Sequence, residues 1–167
     1  MVNAEINIRV SHKLGEKIKN EPVQEIPMHD NPYLDWSSHV FRAGRTQYIL
    51  FTNTASLYSF VIYGRGITTV NEFIKRWMSI MRDILEEEGF KLIFKRIIAP
   101  ATGGYIVGKA LNQSVIGSMN DLVKQAKSGL KNKELSPFET SLWLNDIPFS
   151  YLDYQKPKEV FSQLEAD

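Results

Sequence analysis

Two short stretches hold most of the side chains able to do chemistry in this sequence. In the first, Trp36-Ser37-Ser38-His39-Val40-Phe41 is followed by Arg42, Arg45 and Asn53, which places polar groups on adjoining strands. A histidine titrates near neutrality and serves as acid, base or hydrogen-bond donor, and an arginine fork holds a carboxylate or phosphate through paired hydrogen bonds. The second stretch is Gly117-Ser118-Met119-Asn120-Asp121. On a helix, Gly117 and Asp121 lie opposite the apolar stripe, with Ser118 and Asn120 on its flanks. If the helix begins near Ser118, that residue is a cap and Asp121 sits in the first turn, a good place for a carboxylate on structural grounds alone. Gly117 would let a backbone or ligand approach closely, with Ser118 or Asn120 bonding it. The candidate ligand-binding set is Trp36, His39, Arg45, Asn53, Ser118, Asn120 and Asp121. The competing reading is a water-facing strand, a buried Trp36 and a capped helix.

Other chemistries find little purchase. With no cysteine among 167 residues, a disulfide framework, a thiolate metal site and a cysteine nucleophile are excluded. His12, His29 and His39 lie in different segments, and none pairs with a carboxylate at metal-ligand spacing. Gly64-Arg65-Gly66 and Gly103-Gly104 lack the Lys-Ser/Thr of a phosphate loop and the full dinucleotide spacing, so they read as turns. No metal and no cofactor is expected. Twenty Lys plus Arg against nineteen Asp plus Glu give a net charge of +1, which removes the charge argument for a dedicated nucleic-acid or membrane-surface binder. Lys91, Lys95 and Arg96 among Phe90, Phe94 and Tyr105 remain the candidate basic aromatic surface. Met1 to Val10 lacks the apolar core of a signal peptide, and no stretch reaches the roughly 18 apolar residues of a spanning helix, so the expected setting is cytoplasmic, away from membranes.

The elements that must position these groups follow from periodicity. The length fits one domain over residues 1–167, of α+β class: an antiparallel meander packed on two long amphipathic helices, with short C-terminal helices over 130–167. Ile6 to Val10 suits a short strand, and Ser11 caps a brief helix carrying Leu14 and Ile18, weakened by Gly15. The three prolines between Asn20 and Leu34 predict a surface loop (21–34), the best candidate for a lid. Ser38–Arg42, Arg45–Asn53 and Leu57–Tyr63 read as three antiparallel strands, with a two-residue turn at Ala43-Gly44 that sets Arg42 against Arg45 and His39 against Tyr48. Apolar runs on both faces, Tyr48–Phe51 and Phe60–Tyr63, predict cover on each side. Thr69 and Glu72 have capping-box spacing for a helix whose stripe is Val70, Phe73, Ile74, Trp77, Met78, Met81, Ile84 and Leu85. Leu92–Ile98 suits strand or helix, Tyr105–Ala110 a strand. A second helix carries Val115, Ile116, Met119, Leu122, Val123 and Ala126, and the lysines from Lys124 to Lys133 read as a solvated linker. Ser136, Pro137 and Glu139 start a third helix, and Pro157 a last one.

Trp36 to Phe41, the basic strand through Leu50-Phe51 to Asn53, and Ser114 to Asp121 resemble the motifs of a small bacterial family catalogued as a domain of unknown function, over roughly Ile6 to Lys127. In that family the histidine often directly follows the tryptophan, whereas here Ser37 stands there and His39 comes later. The resemblance implies a stand-alone cytoplasmic protein and supplies no activity. The favoured function is a non-catalytic binding or regulatory module, its partner an unidentified protein or a small anionic ligand meeting the hairpin and the Gly117–Asp121 segment. The alternatives are a hydrolase or transferase acting on a phosphorylated or carboxylated small molecule, with His39 as acid–base and Arg45 as anion clamp, and third a nucleic-acid-associated protein. A homodimer would form by pairing of an uncovered edge strand.

Overall fold

The computed structural model describes residues 5–22 and 24–165. Residues 1–4, part of the stretch read for a leader, lie outside them, as do Val23 in the proline loop and residues 166 and 167. Five strands form one sheet in the order β4-β3-β2-β1-β5, with β1 Ile6–Val10, β2 Asp35–Ala43, β3 Thr46–Asn53, β4 Ser59–Tyr63 and β5 Tyr105–Gly108. The meander β2-β3-β4 is antiparallel as expected. The sheet as a whole is not: β1 runs parallel to both β2 and β5, so the antiparallel assignment is corrected to a mixed sheet. A parallel neighbour needs a long crossover, and residues 11–34, holding α1 (His12–Lys17) and the proline loop, provide one.

The hairpin register also differs from expectation. Ala43 pairs with Thr46, so the turn is Gly44-Arg45, with Gly44 at φ +64°. Arg42 therefore faces Gln47, and His39 faces Leu50 rather than Tyr48. The positive φ that the tight turn requires falls on glycine, which drew the turn one residue further along.

The period of two sorts the strands into contrasting faces. One carries Ile8, Val10, Trp36, Val40, Ile49, Phe51, Phe60 and Ile62, and is covered by α2 (Val70–Glu87) through Phe73, Trp77, Met81, Ile84 and Leu85, with α1 and α7 (Pro157–Ser162) beside it through Leu14 and Phe161. The other carries Phe41, Tyr48, Leu50 and Val61, under α5 (Gln113–Lys127) and α6 (Pro137–Leu144). Both faces are covered, as the double-sided apolar runs imply. Thr69 caps α2 by accepting the Glu72 amide, and Glu72 reaches back to Thr68.

Residues 91–101 settle as helix: α3 (Lys91–Ile93) and α4 (Ala99–Ala101) join through a π-helical turn, Phe94–Ile98. Pro100 has no N–H to give the Arg96 carbonyl and its ring crowds that turn, so the widened turn lets the helix continue. Phe90 and Phe94 pack against the core, so the candidate basic aromatic surface loses two of its rings. The lysine-rich segment is likewise no linker: Lys124 and Lys127 lie on α5, and Ser128–Asn132 adds another π turn. Among the described residues, no helix is long and apolar enough to cross a membrane.

The β4 edge is closed by side chains. Asn145, just past α6, accepts from the Ser59 amide (2.7 Å) and donates to its carbonyl (2.8 Å), as a neighbouring strand would, and the Ser141 hydroxyl accepts from the Val61 amide. At the β5 edge, Gln24 donates to the Val107 carbonyl and accepts from the Lys109 amide. Such capping opposes edge-to-edge pairing. Asn145→Ala orphans two buried backbone groups at about 1 to 3 kcal/mol each. The expected loss is about 2 to 6 kcal/mol in urea denaturation; a loss near zero would mean the edge is not held by this amide.

Candidate functional site

On the α5 face, the β1 and β2 residues that point away from the apolar core are polar and buried. Arg9 and Asp35 form an ion pair at 2.8 Å with side chains 1% and 0% exposed. Burial pushes the Asp35 carboxyl up; hydrogen bonds from Arg9, Thr54 and Asn7 and the Arg9 charge outweigh it and hold the group below its usual value. All five Arg9 N–H groups are satisfied: two meet Asp35, and the others meet the carbonyls of Ile26, Pro27 and Lys109. The pair thus pins the proline loop. Gly108 and Gly15 permit the same closure, because an added Cβ would lie 2.7 Å from Ile26 and 2.6 Å from Pro22. The loop read as a lid is fastened along its middle.

Beside this network a pocket of about 390 Å³ opens between β1, β2, Lys109-Ala110 and α5. Its walls include Val10, Pro22, Ala110, Ile116 and Met119, with Ser11, Ser37, Ser38, His12, His39 and Asn120 around them. Next to it lies a wider groove of about 700 Å³ bounded by Lys13, Arg42, Gln47, Lys124 and Lys127. His39 and Asn120 line both. No carboxylate lines either cavity among the described residues, so four cations in a chain of net charge +1 stand together without neutralising partners in the wall. His39 is half-buried; burial, then the charges of Lys13 and Lys127, lowers its pKa.

The structure thus brings together two of the seven sequence candidates, His39 and Asn120. Trp36 lies in the core and donates its indole N–H to the Tyr33 carbonyl. Asn53 is buried, its amide bonded to the Pro32 and Asp35 carbonyls and its oxygen accepting from Ser56. Arg45 is exposed in the hairpin turn and lines neither cavity. Ser118 is no cap, because α5 starts after Asn112, whose side chain accepts the Val115 amide; the Ser118 hydroxyl donates to the Ser114 carbonyl within the helix. Asp121 is exposed outside both cavities. A Cβ added at Gly117 would meet nothing within 4 Å, so no close approach explains this glycine.

The histidines take different work. His12 meets Glu16 at 2.9 Å on the surface. His29 accepts the Asn31 amide at Nδ1, which leaves Nε2 to donate to the Glu5 carbonyl. Among the described residues, no cluster of His, Asp and Glu suited to a metal occurs. Sequence reading missed Lys13, Lys124 and Lys127, since Lys13 looks like an ordinary lysine on a short helix and the other two read as part of a solvated linker. Only the packing of α1 and α5 around β2 assembles them.

Fold and site together define a mixed α/β domain with a cationic cleft between its sheet and a flanking helix. The chain belongs to the family described as Domain of unknown function (DUF6933), which matches residues 7–160 and so takes in α6 and most of α7 as well as the sheet. No curated protein matches it.

Proposed function

We propose that this protein is a non-catalytic binding module whose cleft, centred on His39, takes a small anionic ligand. The observation that carries this reading is the convergence of Lys13, Arg42, Lys124 and Lys127 on one groove with no carboxylate in its described walls. Low-dielectric walls around like charges focus the field and favour an anion. The hydrolase or transferase reading gains no such support, because Arg45, its anion clamp, lines neither cavity and no wall carboxylate orients the imidazole as a base. Calorimetric titration with inorganic phosphate at low ionic strength tests the proposal. Saturable binding in the millimolar range or tighter is expected, and its absence sinks the reading. Turnover of a phosphoester panel that His39→Ala abolishes would remove the non-catalytic part.

The lowered His39 pKa gives a pH dependence with a definite sign. After burial, the charges of Lys13 on α1 and Lys127 on α5 disfavour protonation of the imidazole, while Lys124 on α5 and Arg42 on β2 bound the same groove. A bound anion reverses that balance, so binding takes up a proton and strengthens as pH falls from 8 towards about 6. With sulfate as the titrant, which keeps its charge across this range, His39→Gln should flatten this dependence; an unchanged slope would assign the proton elsewhere.

A further inference from the structure

We infer that the ligand of this cleft is amphipathic: an oxyanion head seated on the cationic groove, joined to an apolar body that fills the adjoining pocket. The inference rests on the anion-binding reading above and specifies the molecule. Much of the polar lining of the pocket next to the groove is already committed to the protein. Every Arg9 donor is committed to Asp35 and backbone carbonyls, the Ser38 hydroxyl donates to the Arg9 carbonyl, Ser37 is bonded to Thr54, and Ser11 accepts the Leu14 amide. What these groups leave for a guest is chiefly the apolar surface of Val10, Pro22, Ala110, Ile116 and Met119, with Lys109 and His12 also in the wall. Ile116 stands 36% exposed at this wall, an apolar side chain on an otherwise polar face of α5. A cavity of about 390 Å³ is within the usual range for small-molecule sites. His39 and Asn120 line both spaces, so they mark the junction of head and body. A nucleic acid would use the groove and leave the apolar pocket empty.

A homologous series separates this inference from its parent. Inorganic phosphate and butyl, hexyl and octyl phosphate, each titrated into the full chain below its micellar concentration, read the contribution of the body alone. Affinity is expected to climb about fourfold per methylene, the value for moving a methylene out of water, until the pocket is filled. Ala110→Phe, at a half-buried wall position outside helix and strand, should remove most of that climb; its folding is checked by circular dichroism. If inorganic phosphate binds and the alkyl series is flat, the amphipathic ligand is overturned while the anion site stands. If no member binds, both fail. Binding to single-stranded DNA or to phosphatidylglycerol vesicles with a flat alkyl series likewise overturns the inference.

Discussion

Arg9→Leu is expected to cost about 3 to 5 kcal/mol of stability, the usual loss when one partner of a buried ion pair is removed. Leucine fills much of the volume but leaves Asp35, 0% exposed, without its cation. It also releases the carbonyls of Ile26, Pro27 and Lys109. Urea denaturation reads the first effect, and faster proteolysis between residues 24 and 30 reads the second. The pH dependence has two signs. In the wild type the Asp35 pKa lies below its unfolded value, so its contribution is present above about pH 4 and is lost as pH falls through the lowered value. In Arg9→Leu burial prevails and the pKa moves up, so protonation favours the folded state and the gap between variant and wild type narrows on acidification. A variant within 1 kcal/mol of wild type at neutral pH, with the loop still protected, would mean the pair does not hold β1 to β2.

Reversing the charge of Lys124 and Lys127 together should have the largest effect on binding. A unit charge about 8 Å away, at an effective dielectric of about 40, is worth roughly 1 kcal/mol before salt screening. Two reversals change the groove by four such units, so inorganic phosphate affinity should fall by roughly a hundredfold or more at low salt. Both side chains are exposed on α5, so circular dichroism and the unfolding midpoint should change little. Because Lys127 is one of the charges lowering the His39 pKa, the reversed pair should also move the imidazole titration upward when followed by NMR. Unchanged phosphate affinity with a shifted histidine would place the anion elsewhere on the molecule.

Local pattern was enough for the elements whose information is local. The α2 stripe, with Thr69 and Glu72 at its start, gave the helix and its buried face, and the short connections gave the antiparallel meander. Ser136 and Glu139 form the expected capping box, with Pro137 in the first turn. Trp36 and Asn53 pass for ligand-binding residues for a physical reason: a polar or aromatic group on a strand looks the same in sequence whether it faces a ligand or is satisfied by a backbone carbonyl.

The sequence by itself determined the helical stripes, the caps at Thr69 and Ser136 and the antiparallel order of the meander, though not the hairpin register, because each depends on residues within a few positions of one another. Tertiary structure alone decided that β1 is an interior strand, parallel to both its neighbours. Its alternation of Ile6, Ile8 and Val10 with Asn7 and Arg9 resembles a half-exposed strand, yet all five residues are buried, since Arg9 finds its counter-charge at Asp35, 26 positions away. The cationic groove is the same kind of fact: Lys13, Arg42 and Lys127 become neighbours only when α1, β2 and α5 pack together, and a charge shows in sequence without showing what it will face.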